Sequence, residues 1–281
     1  MNKIILAKKD NSVYALKEFP IEGAETIQAF KLSEKPKYYI DMSFEKIINE
    51  LPETSIEVAV SGLKSIITPK HVFGSGKSYF ANGEKEADFP PVWFSRETNK
   101  MLISPYNQKI KLPKATSKLT AEAELGIVYD KKLNILGYVY CGDPTTREMH
   151  GKKEKSGYKT CGYPVSFLIK TADNLPPQDE IKVVFSGKYV SAEFSCQLCF
   201  TGKKKGLYLT ESKLLGYLDK KNNAKEGLLM AGNPDAKALK SVDKDDIVKC
   251  LEDGGLEQKI LVGNQIVWSC TFEKKKPLFR F

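Results

Sequence analysis

The chain has 281 residues, of which 41% are hydrophobic and 28% are charged, and its mean hydropathy is −0.35. This composition excludes a disordered chain, a collagen-like fibre and a protein that spans a membrane. At about 150 residues per domain, the length predicts one large domain or two unequal ones.

The opening residues and the cysteines indicate a cellular compartment. The first twelve residues contain an apolar run of only four residues, whereas the core of a signal peptide needs about 7 to 15. We therefore expect a cytoplasmic protein whose cysteines are reduced thiols and not disulfides. The six cysteines are Cys141, Cys161, Cys196, Cys199, Cys250 and Cys270.

The net charge of +9 suggests an anionic partner. Only three of the 44 basic residues are arginine, although arginine is the side chain that nucleic-acid-binding sites favour. The lysines lie in short scattered groups, which is typical of solvated loops. We therefore expect no nucleic-acid partner and no membrane partner, and the positive field favours the entry of a small anionic substrate.

The first part of the chain combines strand patterns with one helical pattern. Apolar runs predict strands at residues 3–7 and 13–17, and helical spacing predicts a helix over residues 43–51, with Ser43 as its N-cap. Near residues 66–70 the pattern changes to glycine turns and strands. We therefore predict a small N-terminal α/β domain over residues 1–68 and a larger second domain over residues 69–281.

The second part of the chain is rich in strand patterns. Alternating or apolar runs predict strands at residues 124–129, 135–140, 165–169, 181–185, 192–200, 227–231 and 266–270. The best helical pattern in this part covers residues 210–218, and the chain has no internal repeat. The predicted fold class is therefore α+β and β-rich.

Three acidic residues in this part are predicted to meet. Glu122 and Glu124 lie two residues apart in a predicted strand, so their side chains point to one face. The chain turns near residues 130–134 and returns as a strand that brings Asp143 beside them. Such carboxylates repel one another, and a hard divalent ion neutralises them, with Mg²⁺ preferred and Mn²⁺ or Ca²⁺ as substitutes. The alternative is that the two glutamates line the wet face of a sheet.

Ordered motifs surround these carboxylates. They are Glu122-Ala123-Glu124-Leu125, then Asp143-Pro144-Thr145-Thr146-Arg147-Glu148, with Phe73-Gly74-Ser75-Gly76-Lys77-Ser78-Tyr79 upstream and Gly232-Asn233-Pro234 downstream. Together they resemble the fumarylacetoacetate hydrolase family over roughly residues 70–270. The resemblance implies a mixed β-roll fold and a homodimer or homotetramer. It also implies that Glu122, Glu124 and Asp143 hold a divalent ion that binds a 2-oxo acid and stabilises its enolate.

One departure from the family concerns the lid over the site. The hydrolase branch carries a lid histidine, and Asn82 stands in its place here. Because an amide is not a general base at neutral pH, hydrolysis by an activated water is disfavoured. The chain is more similar to the 2-keto-3-deoxyarabinonate dehydratase-like branch, which lacks that histidine and has a glutamate where Glu84 stands.

The dehydratase-like branch implies that Glu84 and a nearby lysine act as the catalytic acid and base. Lys159 aligns with the family lysine only after a two-residue deletion, and Lys155 only after a shift. The resemblance further implies a set of substrate-binding residues. These are Ser75, Ser78, Tyr79, Asn82 and Asn233, the last of which replaces the threonine of the family's Gly-Thr turn.

The predicted function is that of a Mg²⁺-dependent lyase in sugar acid metabolism, which dehydrates a 2-keto-3-deoxy sugar acid. Two alternatives stay open. One is another metal-dependent 2-oxo acid enzyme of the family, such as a carbon-carbon hydrolase, a decarboxylase or an isomerase. The other is a non-catalytic relative with a binding or regulatory role.

Arg147 follows Asp143 within the same motif. A buried guanidinium needs a carboxylate partner, and acidic residues flank this position. We therefore predict that Arg147 is a buried partner of a neighbouring carboxylate and does not contact the substrate directly.

Overall fold

The computed structural model describes residues 2–76, 92–150, 153–159, 161–198, 214–218, 226–232 and 242–275. These parts of the chain contain many strands and few helices, which confirms the β-rich class. Within these ranges no helix is both long and apolar enough to cross a membrane. The five cysteines in these ranges are free thiols, as predicted.

The helices and strands are numbered in chain order. The strands are β1 (Lys3–Lys9), β2 (Ser12–Leu16), β3 (Thr26–Leu32), β4 (Ile56–Ala59), β5 (Lys64–Ser65), β6 (His71–Gly76), β7 (Val92–Arg96), β8 (Met101–Leu102), β9 (Gln108–Leu112), β10 (Thr116–Tyr129), β11 (Ile135–His150), β12 (Lys153–Tyr158), β13 (Tyr163–Pro164), β14 (Leu168–Thr171), β15 (Glu180–Ser186), β16 (Ser191–Gln197), β17 (Gly227–Met230), β18 (Leu256–Val262) and β19 (Gln265–Lys274). The helices are α1 (Pro36–Asp41), α2 (Phe44–Asn49), α3 (residues 214–218) and α4 (Lys244–Glu252), and short 3-10 turns cover Thr98–Lys100 and Ala172–Asn174.

Two of the helices test the sequence predictions directly. The helix predicted over residues 43–51 is confirmed as α2, and the Ser43 hydroxyl accepts a hydrogen bond from the Lys46 N–H at 3.5 Å, as its N-cap position requires. Phe44 and Ile47 are its buried residues. The helix predicted over residues 210–218 is confirmed where the structure describes it, at residues 214–218.

The large sheet has the order β4-β3-β2-β1-β14-β11-β10-β17-β6-β7, with β12 also paired to β11 and β5 to β1. Its pairings are antiparallel except that of β17 with β6, which is parallel. A smaller sheet has the order β16-β15-β18-β19-β9. Antiparallel neighbours that follow each other in the chain include β1–β2, β10–β11, β15–β16 and β18–β19.

The N-terminal strands are part of the large sheet. Strand β1 lies between β2 and β14, with Lys3 opposite Thr171 and Leu6 opposite Leu168. The hydrogen-bonded sheet therefore continues from the N-terminal residues into the middle of the chain. The domain boundary at residue 68 stays a prediction.

The two faces of the large sheet are buried by different partners. On one face, Ala123, Leu125 and Ile127 of β10 belong to the core that also contains residues of the smaller sheet, such as Val183 and Trp268. On the opposite face, Val128 and Val139 share a core with residues of α1 and α2. Since side chains alternate along a strand, the even-numbered residues of β10 lie on the helix-covered face.

Candidate metal centre

The β10–β11 hairpin brings three carboxylates together. Glu122 lies directly opposite Asp143, and Glu124 lies two residues further along the same strand face. One oxygen of each carboxylate lies within 4.8 Å of the other two. The predicted meeting of Glu122, Glu124 and Asp143 is therefore confirmed, and we call this group the carboxylate cluster.

Burial makes this cluster electrostatically unfavourable without a cation. Glu124 and Asp143 are each 1% exposed, and Glu122 is half-buried. Burial, followed by the charges of Asp143 and Glu122, raises the pKa of Glu124 well above its usual range. Lys159 and the Gly232 N–H, which donates to Glu124 Oε2 at 3.1 Å, oppose that rise. The cluster therefore favours a state in which a proton or a cation neutralises it.

A buried arginine holds one side of Asp143. Arg96 Nη1 donates to Asp143 Oδ1 at 2.9 Å and to the Pro144 carbonyl at 3.1 Å, and Nη2 donates to the Cys161 carbonyl at 3.1 Å. The guanidinium carbon lies 4.6 Å from the centroid of the Tyr163 ring. The Arg96 side chain has no exposed surface, so its charge depends on these partners.

Lys159 holds the other side of Asp143. Its ammonium group forms an ion pair with Asp143 Oδ2 and lies 3.8 Å from the centroid of the Phe94 ring. The side chain is 24% exposed. The structure thus places Lys159 at the carboxylate cluster, as the alignment with a two-residue deletion predicted. Its catalytic role stays a prediction.

Gly74 makes room for the aromatic ring beneath Lys159. Gly74 and Phe94 are opposite each other in the β6–β7 pair, and a Cβ atom at position 74 would overlap the Phe94 ring. Only glycine lets the ring lie across the strand at this point. The glycine at position 74, in the Gly-x-Gly sequence at residues 74–76, therefore has a packing reason in the β6–β7 pair.

Ser75 is hydrogen-bonded to the neighbouring strand β17. Its hydroxyl donates to the Met230 carbonyl at 3.4 Å and is buried. Its strand neighbour Phe73 packs against the core of the smaller sheet, and alternation assigns Ser75 to that same face. The remaining predicted site residues, Ser78, Tyr79, Asn82, Glu84 and Asn233, lie outside the described residues.

The predicted burial of Arg147 is wrong. Arg147 is exposed, on the part of β11 that pairs with the start of β10. Among the described residues, Arg96 is the arginine that is buried beside a carboxylate, and no sequence motif pointed to it. Arg96 is the last residue of β7, and Val72 lies opposite it in the β6–β7 pair.

The donor set of the cluster fits a hard divalent cation. Each carboxylate oxygen carries two acceptor positions, so Asp143 can hold an ion while Arg96 and Lys159 occupy one position each. Burial raises the pKa of the neighbouring Cys141 thiol well above its usual range, and the thiol donates to the Glu124 carbonyl at 3.6 Å. The atoms of the cluster that can bind an ion are therefore carboxylate oxygens. Oxygen ligands are the ones that Mg²⁺, Mn²⁺ and Ca²⁺ prefer.

No protein-family model and no curated protein matches the sequence of the chain. Solved structures match its fold. The 2-keto-3-deoxy-D-arabinonate dehydratase complexed with magnesium and 2,5-dioxopentanoate is 17% identical at a TM-score of 0.61, with 98% of this chain and 100% of that chain covered. The 5-carboxymethyl-2-hydroxymuconate delta-isomerase from Mycobacterium smegmatis is 16% identical at a TM-score of 0.58, with the same coverage.

A third solved structure extends the range of reactions. Maleylpyruvate hydrolase from Sphingobium sp. SYK-6 is 14% identical at a TM-score of 0.57, with 96% of this chain and 100% of that chain covered. The chain therefore has the fold that a dehydratase, an isomerase and a hydrolase share. The resemblance to the fumarylacetoacetate hydrolase family is confirmed at the level of the fold.

Proposed function

We propose that the protein is a divalent-metal-dependent enzyme that acts on a 2-oxo acid. The observation that carries this proposal is the buried carboxylate cluster with the Lys159 ammonium at its edge. Two buried carboxylates and a half-buried one that meet in one place are unfavourable, because Arg96 and Lys159 supply only two positive charges against three negative ones. A cation-binding role explains why they stand together. The magnesium-bound dehydratase of the same fold supports the choice of ion.

Glu122, Glu124 and Asp143 would hold the ion, with Mg²⁺ preferred and Mn²⁺ or Ca²⁺ as substitutes. When bound, a divalent cation polarises a carbonyl group and makes the neighbouring C–H bond more acidic. The residues of the chain supply the remaining functions. Arg96 holds Asp143 on its buried side, and Lys159 presents a proton donor on its partly exposed side.

We favour the dehydration of a 2-keto-3-deoxy sugar acid as the reaction. Dehydration removes a proton from C3 and a hydroxyl group from C4, so it needs one base and one acid. The Lys159 ammonium, supported by the Phe94 ring, suits the acid that protonates the leaving hydroxyl. Glu84 is then the proposed base. The substrate contacts predicted for Ser75, Ser78, Tyr79, Asn82 and Asn233 belong to the same proposal.

The isomerase and the hydrolase of the same fold keep a second candidate reaction open. Another metal-dependent conversion of a 2-oxo acid would use the same carboxylate cluster. Asn82 in place of the lid histidine argues against hydrolysis. The non-catalytic alternative keeps the cluster and lacks turnover. We also propose that the protein is cytoplasmic and forms a homodimer or homotetramer.

Calorimetric titration of the whole protein with Mg²⁺, with and without oxalate, tests the metal-dependent function. We expect the wild type to bind Mg²⁺, and oxalate to bind only when Mg²⁺ is present. Glu124→Ala should weaken Mg²⁺ binding by about a hundredfold or more, because a ligand to the ion is lost. Glu193→Ala, at an exposed position of β16, is the matched control and should bind as the wild type does.

A panel of 2-keto-3-deoxy acids followed by proton NMR in D₂O then separates the reactions. Dehydration replaces the signal of the C4–H proton, on the carbon that carries the hydroxyl group, by signals of the dehydrated product, whereas decarboxylation releases CO₂ and hydrolysis gives two acids. If the wild type binds neither Mg²⁺ nor oxalate, the metal-dependent function is wrong. Binding without turnover of any member would favour the non-catalytic alternative.

A further inference from the structure

We infer that Arg96 is a positioning residue that fixes Asp143 and the segment following Lys159 in one arrangement, so that the metal ligand and the lysine act together. This inference rests on the proposed function. Nothing in the motifs of the sequence assigns a role to Arg96, which lies 47 positions before the carboxylate it contacts.

The guanidinium of Arg96 joins three separate parts of the chain. It projects from β7, contacts Asp143 and Pro144 of β11 through Nη1, and contacts the Cys161 carbonyl through Nη2. The Tyr163 ring lies against its face. Since the side chain is wholly buried, each of these contacts is made in a dry environment, where a charged hydrogen bond is strong.

Strand β7 supports both cations on Asp143. Phe94 and Arg96 are two residues apart, so they lie on the same face of the strand. Phe94 lies beneath the Lys159 ammonium, which contacts one oxygen of Asp143, and Arg96 contacts the other. One short strand therefore sets where both cations stand relative to the carboxylate.

The two cations differ in how firmly they are held. Arg96 has no exposed surface and three hydrogen bonds to fixed groups, whereas Lys159 is 24% exposed and stands on a flexible stem. Lys159 can therefore leave Asp143 to reach a substrate while Arg96 keeps the carboxylate in place. Without Arg96, movement of Lys159 would release Asp143 as well.

The contacts require arginine and not merely a positive charge. The hydrogen bonds to Asp143 and to the Cys161 carbonyl leave from different nitrogens of one planar group. A lysine has a single nitrogen and cannot span both sides with the same rigid geometry. Arg96→Lys therefore keeps the buried charge and breaks the connection between the two segments.

The test compares Arg96→Lys with Arg147→Lys, which changes an exposed arginine on β11. We expect Arg96→Lys to weaken Mg²⁺ binding by about 10- to 100-fold, as loss of a ligand's hydrogen-bond partner does in other metal sites. Arg147→Lys should bind Mg²⁺ as the wild type does. A lowered melting temperature with an unchanged Mg²⁺ dissociation constant would show a merely structural role and overturn the inference.

A double substitution tests the connection to Lys159. If Arg96 acts through the segment that carries Lys159, Arg96→Lys combined with Lys159→Met should lower kcat at saturating Mg²⁺ no further than Lys159→Met alone. Losses in kcat that multiply would overturn that connection.

A measurement without metal separates this inference from the proposed function. The Ser166 N–H donates to the Tyr140 carbonyl at 2.8 Å, close after the segment that Arg96 holds. Hydrogen exchange of residues 161–166 should be faster in Arg96→Lys and unchanged in Arg147→Lys. If the wild type binds no Mg²⁺, the proposed function fails while faster exchange still supports the positioning role. Unchanged exchange in Arg96→Lys would overturn it.

Discussion

The two halves of the β10–β11 hairpin share strands, register and faces, yet their side chains on the helix-covered face differ in kind. The turn-proximal half, residues 125–129 and 135–141, presents Val128, Val139 and Cys141 to the core beneath α1 and α2. The distal half, residues 116–124 and 142–150, presents the carboxylate cluster to Arg96 and Lys159.

This difference shows that strand alternation decides which face a side chain joins, and that the covering elements decide whether a charge can stay there. Apolar cover over the turn-proximal half fixes the register that brings Glu122 opposite Asp143. In the distal half, Arg96 and Lys159 from two other segments offset the free-energy cost of burying the carboxylates. Substitutions in each half should therefore fail in different ways.

The largest effect is expected in the distal half. Asp143→Ala leaves the Arg96 guanidinium buried without its carboxylate, and we expect the free energy of unfolding to fall by about 3–5 kcal/mol in the absence of metal. Urea unfolding measures this loss. Asp143→Asn keeps an oxygen acceptor for Arg96 and should lose less. A fall below about 1 kcal/mol for Asp143→Ala would mean that Arg96 does not depend on Asp143.

The second-largest effect concerns Lys170, a charged side chain that is buried among the elements packed on the turn-proximal half. Lys170 of β14 is 3% exposed, and its ammonium donates at 2.7 Å to the Ile40 carbonyl in the last turn of α1. Burial lowers the pKa of Lys170 from its ordinary 10.5 to about 8, although Asp41 opposes that shift.

This pKa sets the sign of a pH effect on stability. Below about pH 8 Lys170 is charged in both the folded and the unfolded states, and its burial is fully unfavourable. Above about pH 8 the folded chain loses the Lys170 proton, whereas the unfolded chain keeps it until about pH 10.5. The free energy of unfolding should therefore rise by up to about 3 kcal/mol toward pH 10.5. Chemical unfolding at several pH values should show this rise in the wild type and in Lys31→Met, at an exposed position. The rise should vanish in Lys170→Met, and its persistence there would assign it to another group.

The smallest of the three effects tests the packing of the turn-proximal half. A Cβ at Gly126 would lie 2.7 Å from Val139 Cγ2 and 2.8 Å from Leu228 Cδ1, both on buried side chains. We expect Gly126→Ala to lower the free energy of unfolding by about 1–3 kcal/mol through overpacking. Gly216→Ala is the control, because a Cβ there meets nothing within 4 Å. Equal stability of the two variants would show that the hairpin is loosely packed.

The hairpin could be predicted because its signals are local. Two glutamates at alternate positions, a turn at residues 130–134 and a returning apolar strand fix the register within about thirty residues. In the structure the Asp130 side chain accepts hydrogen bonds from the Lys132 and Asn134 N–H groups at 2.7 and 2.9 Å. Such a turn leaves few other ways to pair β10 with β11.

The surroundings of the cluster could not be predicted in the same way. Arg96 reaches Asp143 because β7 follows β6, β6 runs parallel to β17, and β17 pairs with β10. No pattern of neighbouring residues in the sequence predicts that order of strands. Arg147 is close to Asp143 in sequence, yet an antiparallel strand carries it four residues along the sheet and into solvent. Nearness in sequence was a poor guide to nearness in space.

The central place of β1 in the large sheet has a consequence for synthesis of the chain. Lys3 of β1 is opposite Thr171 of β14, so one neighbour of this strand is made long after the strand itself. At about 5–20 residues per second, the ribosome needs on the order of ten seconds or more to supply β14. Until then the backbone groups on this edge of the apolar strand β1 are free to pair with other chains. Translation speed and chaperone supply should therefore govern the yield of folded protein.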